Sequence, residues 1–285
     1  MCRFVYYQGQ PITLSALLTE PTNSLIHQSF HANERTEPLN GDGFGVAWYV
    51  PGSTAPALFR AVSPAWSNQN LHEIARVTTS PRVLAHVRAA TQEFSVTVSN
   101  CHPFRHGALT FMHNGDFGAV SRVRRLLLQS LSDDAFRLIR GTTDSEHFFA
   151  LLVDELVTRD VVGPPVIRLA AAFEGALRRF LDLARDAAVD EPVYLNCVLS
   201  DGRAAVACRF TTDKPDNADS LYAHVGHRYV VEERTPHMVE CELVNSSVII
   251  SSEPLSDDPG WNPVPVGTLV LVAEDLSIET RPVSA

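Results

Sequence analysis

The residue directly after the initiator methionine is a cysteine, in MCRFVYYQGQ. The first residues of a domain are usually loose, so a thiol there serves packing poorly and chemistry well. A Met followed by a small residue suits removal of the initiator, which would free the α-amino group of Cys2. Such an amine titrates near pKa ~7.7–8.0 and can accept a proton near neutral pH. Thiol and base would then share one residue, the amine activating the thiol as a histidine does in Ser and Cys enzymes. The plain alternative is a small buried residue that opens the first strand.

Three further segments carry chemistry. AHVRAAT sets Arg88 at the end of an apolar strand, where a guanidinium can clamp a carboxylate in bidentate fashion. FMHNGDF puts Asn114 and Gly115 just past another strand, an amide and a permissive backbone N–H that suit an oxyanion site. GTTDSE places Asp144 at a helix start. Each has a plain reading as well: Arg88 as a surface ion pair, Asn-Gly as a tight turn, Asp144 as an N-cap. Glu253 in SSEPL, at a strand end, is balanced between a place near a pocket and a surface cap.

These residues need elements to position them. CRFVYY, GFGVAWYV, LFRAV, RVLAHVRAA and ALTFMHNG read as short strands, several of them antiparallel neighbours across turns such as PGST and RHG. Thr143-Asp144-Ser145-Glu146 has the capping-box pattern, and Phe148, Leu152 and Leu156 follow at helical spacing. A second helix, from about Val166 to Ala184, aligns Leu169, Phe173, Leu177, Phe180 and Leu181. YLNCVLSDGRAAVACRF reads as a hairpin around Asp201-Gly202, and SLYAHVG, SVIISSEPL and TLVLVAEDL supply later strands. TTDKPDNAD, from Thr211 to Asp219, is expected to be a mobile surface loop. Strands, then helices, then strands suggest an α+β protein with two sheets packed together and helices outside, not a βαβ repeat.

Composition narrows the class. The net charge of −10 over 285 residues, with no basic stripe, argues against a nucleic-acid partner. No apolar run approaches the roughly 20 residues that cross a bilayer, and the start lacks the basic and apolar regions of a secretory signal; a cytoplasmic location is expected. Five cysteines without a C-x-x-C spacing fit neither a disulfide framework nor a zinc site. A thiol–imidazole pair at Cys101-His102 is awkward, because adjacent residues on an extended segment point to opposite faces. A metal site from His86, His102, His106 and His113 is disfavoured because Pro103 breaks any helix that would align His102 with His106 and no carboxylate–His pair has ligand spacing. No cofactor and no metal are called for.

Taken in order, MCRF, NGDGFGVAWY, SPAWSNQNL, AHVRAAT, NCHPF, MHNG, GTTDSE and SSEPL resemble the class II glutamine amidotransferases, which are N-terminal nucleophile hydrolases. Within that family the phrases are most similar to the fungal-type glutathione-degrading subunit, with the ergothioneine-pathway amidohydrolases as near relatives.

The resemblance implies a four-layer αββα sandwich of two antiparallel sheets, formed by one domain over residues 1–285. It implies Cys2 as nucleophile with its own amine as base, attack on a γ-glutamyl amide carbon, and release of glutamate from a thioester by water. It implies oxyanion stabilisation by the Asn114 side chain and the Gly115 N–H. Arg88, with Thr91 beside it, would hold the substrate α-carboxylate, and Asp144 the α-ammonium. The run Arg88-Ala89-Ala90-Thr91-Gln92 lacks the Trp and His found in the synthetase-linked members, so those contacts do not carry over. No synthetase domain is visible, so the chain is expected to hydrolyse γ-glutamyl compounds, glutathione first among them, alone or with a separate metallopeptidase-like or synthetase subunit. The alternatives are a glutaminase subunit that supplies ammonia, an enzyme that removes the γ-glutamyl group from a sulfur-containing intermediate, and a catalytically silent regulatory subunit.

Overall fold

The computed structural model describes residues 2–34, 39–90, 95–118, 120–226, 228–233, 235–239 and 247–284. In chain order its strands are β1 (Arg3–Thr13), β2 (Phe44–Trp48), β3 (Ala57–Ala61), β4 (Thr79–Val87), β5 (Phe104–His106), β6 (Leu109–Asp116), β7 (Tyr194–Ser200) and β8 (Ala205–Thr211). They continue with β9 (Tyr222–Gly226), β10 (Arg228–Glu232), β11 (Thr235–Val239), β12 (Ser247–Ser251), β13 (Trp261–Pro263), β14 (Thr268–Val272) and β15 (Ile278–Pro282). The helices are α1 (Ser15–Leu18), α2 (Leu25–Gln28), α3 (Gln69–Val77), α4 (Val120–Ser130), α5 (Asp133–Phe136), α6 (Asp144–Thr158) and α7 (Pro165–Asp186). The protein is α+β with two larger antiparallel sheets, and it divides into two compact units.

The first unit comprises residues 1–103, 220–264 and 275–277. Its seven-stranded sheet runs β13-β9-β12-β1-β4-β2-β3, so β1 lies inside it, bonded on one edge to β12 and on the other to β4. The start of β1, RFVYY, is buried on both faces, which explains its continuous apolar run. Period-two alternation sorts its side chains. Val5 and Tyr7 join the core beneath α1, α2 and α3, with Leu14, Leu17, Leu25 and Leu71. Arg3 shares their face, and Cys2, Phe4 and Tyr6 take the other.

The second unit comprises residues 104–219, 265–274 and 278–285. Its sheet runs β15-β14-β8-β7-β6-β5. Helices α6 and α7 bring Phe148 against Phe111 and Phe117 and Phe180 against Phe117, with Phe173 packed on Phe148 and the Phe117 and Phe148 ring centroids 4.5 Å apart. Burying an aromatic side chain of this kind stabilises by roughly 1.5–3 kcal/mol. The β7–β8 hairpin turns at Asp201-Gly202 as expected, with Gly202 at φ 81° and the Asp201 carboxylate accepting the N–H groups of Arg203 and Ala204.

Thr143 caps α6 as expected by accepting the Glu146 N–H at 3.3 Å, and the Glu146 carboxylate also accepts the N–H groups of Arg140 and Gly141. One expectation needs correction. The segment expected as a mobile loop is fastened: Asp213 accepts the Tyr194 hydroxyl, and the Asp219 carbonyl accepts from Asn196 and Arg209.

Candidate active site

In the first unit Arg3 pairs with Val87, the last pair of the β1–β4 ladder, so the alternation of the strands directs Cys2 and Arg88, the next residue on each, to one face. Cys2 is half-buried and its Sγ–H donates to the Ala89 carbonyl at 3.6 Å. The plain reading of Cys2 as a buried packing residue therefore does not describe it.

The NGDG turn brackets Arg88. Its N–H donates to the Gly43 carbonyl at 2.8 Å and its carbonyl accepts from the Asp42 N–H at 3.0 Å. The Asp42 carboxylate then accepts the Ala90 N–H at 2.8 Å. The Arg88 side chain is only 3% exposed, and its Nη1 has no partner among the described residues. A surface ion pair is excluded. A buried guanidinium with an unfilled donor is suited to an anionic oxygen from outside. Thr91, placed beside it by sequence reasoning, lies outside the described residues.

In the second unit Asn114 and Gly115 lie inside β6, paired with Asn196 and Leu195, and not in a tight turn. Asn114 Nδ2 donates to Asp219 Oδ2 at 3.3 Å, while its buried Oδ1 has no partner among the described residues. Gly115 adopts φ 148°, and a Cβ there would lie 1.9 Å from the Tyr194 carbonyl oxygen, so no other residue fits.

Asp144 opens α6. Its Oδ2 accepts the Phe117 N–H at 3.1 Å and its Oδ1 the Ser145 N–H at 2.7 Å. Two residues beyond Gly115, the chain is thus tied to the helix start. The Ser145 hydroxyl also donates to Oδ1, at 3.1 Å. The carboxylate sits where the helix dipole favours negative charge, and Oδ2 keeps capacity for a further donor. A second tie joins the same elements: His113 Nδ1 lies 2.8 Å from the Ser145 hydroxyl, and its Nε2 is 3.1 Å from the Tyr194 carbonyl. Burial pushes the His113 pKa down, against the opposing pull of the Asp144 carboxylate.

The competing constellations do not assemble. The Cys101 thiol lies within hydrogen-bond reach of the Thr97 and Ala61 carbonyls and burial raises its pKa, while the His102 ring packs tilted against His86 with centroids 4.3 Å apart. Among the described residues no group of three His, Cys, Asp or Glu side chains is placed to hold a metal ion. No helix among them is long and apolar enough to cross a membrane.

Sequence reasoning missed Asp42 as the brace of the Arg88 loop and Asp219 beside Asn114. It also missed Arg3, whose Nε donates to Glu253 Oε1 at 2.9 Å. Glu253 is fully buried, so the surface-cap reading is wrong. It forms part of the wall of a cavity of ≈520 Å³, shared with His27, His31, Asn33 and Glu34.

Comparison with known proteins bears on this arrangement. Residues 15–282 match the family described as glutamine amidotransferases class-II. The chain is 39% identical to the probable glutamine amidotransferase DUG3 of Saccharomyces cerevisiae, over 95% of this chain and 82% of that one. It is 25% identical to the gamma-glutamyl-hercynylcysteine sulfoxide hydrolase of Mycobacterium tuberculosis, over 96% of this chain and 94% of that one. Among solved structures, a glutamine aminotransferase class-II domain protein from Silicibacter pomeroyi superposes with a TM-score of 0.67 at 26% identity, each chain fully covered. The glutamine phosphoribosylpyrophosphate amidotransferase of B. subtilis shares the fold alone, with a TM-score of 0.62 at 14% identity over 99% of this chain and 49% of that one.

Proposed function

Because the chain belongs to the class II glutamine amidotransferases, we propose that it hydrolyses γ-glutamyl amide bonds with Cys2 as the nucleophile. The observation that carries this reading is that the half-buried Cys2 thiol reaches the Ala89 carbonyl, next to a buried Arg88 whose Nη1 has no partner among the described residues. A γ-glutamyl head has a carboxylate to fill that donor and an amide carbon to meet the thiol.

The steps follow from the residues. With Met1 removed, the Cys2 amine takes the thiol proton and Sγ attacks the γ-amide carbon. The Asn114 side chain and the Gly115 N–H stabilise the oxyanion, a contribution of about 2.7–4 kcal/mol for one such donor. As the tetrahedral species collapses, the amine passes its proton to the departing nitrogen and a thioester remains. Water, deprotonated by the same amine, releases glutamate. Arg88 holds the α-carboxylate and Asp144 the α-ammonium, so a substrate lacking either charge leaves a protein group desolvated and unpaired. The family match runs through both units, which supports treating residues 1–285 as one amidotransferase domain.

Glutathione is the proposed substrate, from the density of phrases shared with the glutathione-degrading branch. The similarity to a hydrolase named for γ-glutamyl-hercynylcysteine sulfoxide favours a sulfur-bearing γ-glutamyl sulfoxide as the second reading. A separate metallopeptidase-like subunit and a cytoplasmic location belong to the same proposal. The test measures glutamate release by the purified chain, alone and with candidate subunits, from glutathione, glutamine and a γ-glutamylcysteine sulfoxide, with intact mass reporting the state of Met1. Release from glutathione, abolished in Cys2→Ser, is expected. Turnover by Cys2→Ser, or by protein that keeps Met1, overturns the mechanism; release from glutamine alone overturns the substrate.

A further inference from the structure

The charge pair Arg3–Glu253 is not used by the steps above, yet it touches the nucleophile. Arg3 and Glu253 are 1% and 0% exposed. Arg3 Nε donates to Glu253 Oε1 at 2.9 Å, and Arg3 Nη1 turns back to donate to the carbonyl of Cys2 at 3.0 Å. The carboxylate is itself held, because the Asn33 N–H donates to Oε2 at 2.8 Å and the Glu34 N–H to Oε1 at 3.3 Å. Ser252, immediately before Glu253, clasps the same strand: its Oγ accepts the Phe4 N–H and its own N–H donates to the Phe4 carbonyl, both at 3.0 Å.

A buried ion pair is weak evidence for stability, since desolvation of both charges offsets their attraction. What this pair does fix is geometry. A chain end ordinarily frays, and a nucleophile whose base is its own amine needs its Cα–C torsion set, because that torsion aims both groups relative to β1. The guanidinium sets it by holding the Cys2 carbonyl, and the carboxylate fixes the guanidinium from the opposite face of the sheet to the thiol. One planar fork serves both acceptors, which an ammonium cannot reproduce.

We propose that Arg3 and Glu253 are positioning residues that hold Cys2 in its attacking orientation through its carbonyl, and that their contribution lies in turnover and not in substrate binding. This rests on Cys2 being the nucleophile. Reacting groups misplaced by 1 Å lose on the order of 10²-fold in rate.

The test uses the full mature chain, with Met1 removal verified by mass, and compares wild type, Arg3→Lys, Glu253→Asp and Cys2→Ser. For Arg3→Lys, kcat with the best γ-glutamyl substrate is expected to fall on the order of 10²-fold, with KM within about threefold. Alkylation of Cys2 by a γ-glutamyl diazoketone is expected to slow in parallel. Glu253→Asp, which keeps the charge on a shorter arm, is expected to fall between the two. If Glu253→Asp does not fold, Arg3→Lys decides alone. Unchanged kcat in Arg3→Lys, or a loss confined to KM, overturns the proposal while a dead Cys2→Ser leaves the nucleophile reading standing. Turnover by Cys2→Ser overturns both.

Discussion

The ring of His113 and the hydroxyl of Ser145 meet at 2.8 Å across the junction of β6 and α6. His113 Nε2 faces the Tyr194 carbonyl and carries the ring proton there, while the Ser145 hydroxyl stands between His113 Nδ1 and Asp144 Oδ1, the latter 3.1 Å away. Burial favours the neutral imidazole at this junction. A second proton, on Nδ1, would place a charge where burial opposes it.

Stability follows with a definite sign. Burial lowers the pKa of His113 below its ordinary 6.5, and burial lowers that of His147 likewise. The unfolded chain thus takes up these protons first, so stability is full above the unfolded pKa and is lost as pH falls from there through the depressed folded values. Urea midpoints measured from pH 8 to pH 5 are expected to decline below about 6.5. The decline should be shallower in His113→Gln, and an identical pH slope in that variant would show that His113 does not supply it.

Arg88 predicts a trade between stability and function. Its Nη1 is buried without a partner among the described residues, an arrangement that costs free energy. Arg88→Met is expected to gain about 1 kcal/mol, a rise of roughly 2–4 °C in the midpoint of thermal unfolding, while kcat/KM for a γ-glutamyl substrate collapses. Added glutamate should raise the midpoint of the wild type and not of the variant, by binding only to the folded site. A variant that is both less stable and still stabilised by glutamate would remove Arg88 from the site.

Asn114 makes a sharper kinetic claim. If its side chain faces the oxyanion and not the bound substrate, Asn114→Ala should lower kcat by about 10²–10³-fold with little change in KM. Steady-state kinetics on one γ-glutamyl substrate would read it. A rise in KM at unchanged kcat would place Asn114 in ground-state binding.

What the sequence disclosed, and what it hid, divides by distance along the chain. Cys2, Arg88, Asn114 and Asp144 each sit in a short phrase that carries its own chemistry, and α6 and α7 announce themselves through caps and aligned apolar residues. The Arg3–Glu253 pair spans 250 positions, so no local pattern marks it. Asp42 was hidden for a related reason: in NGDG it reads as turn chemistry, and only the fold brings its carboxylate to the Ala90 N–H. The helix α3 buries only Leu71 and Ala75, and α4 only Val120, Val123 and Leu127, too narrow a stripe to stand out from polar loops. The order of strands around β1, with β12 on one side and β4 on the other, joins segments far apart in sequence and has no signature within either.

Asp144 joins fold and recognition in one carboxylate, and the two can be separated. In Asp144→Asn one oxygen remains to accept from either the Ser145 or the Phe117 N–H, while the new NH2 group faces the other donor. Leaving a buried N–H unmet costs about 1–3 kcal/mol, so a lower unfolding midpoint is expected whatever the residue does in catalysis. Recognition of the α-ammonium makes a different claim, which destabilisation alone does not imitate. The wild type should strongly prefer a γ-glutamyl amide to the matching glutaryl amide, which lacks the amino group, because the latter leaves the Asp144 carboxylate without its cation. In Asp144→Asn that preference should shrink by on the order of 10-fold or more, since a lost charge-assisted hydrogen bond of about 1.5–3 kcal/mol now affects only the glutamyl substrate. The ratio of kcat/KM for the two amides, measured well below the unfolding midpoint, is the deciding quantity. An unchanged ratio would leave Asp144 as the tie between β6 and α6 and nothing more.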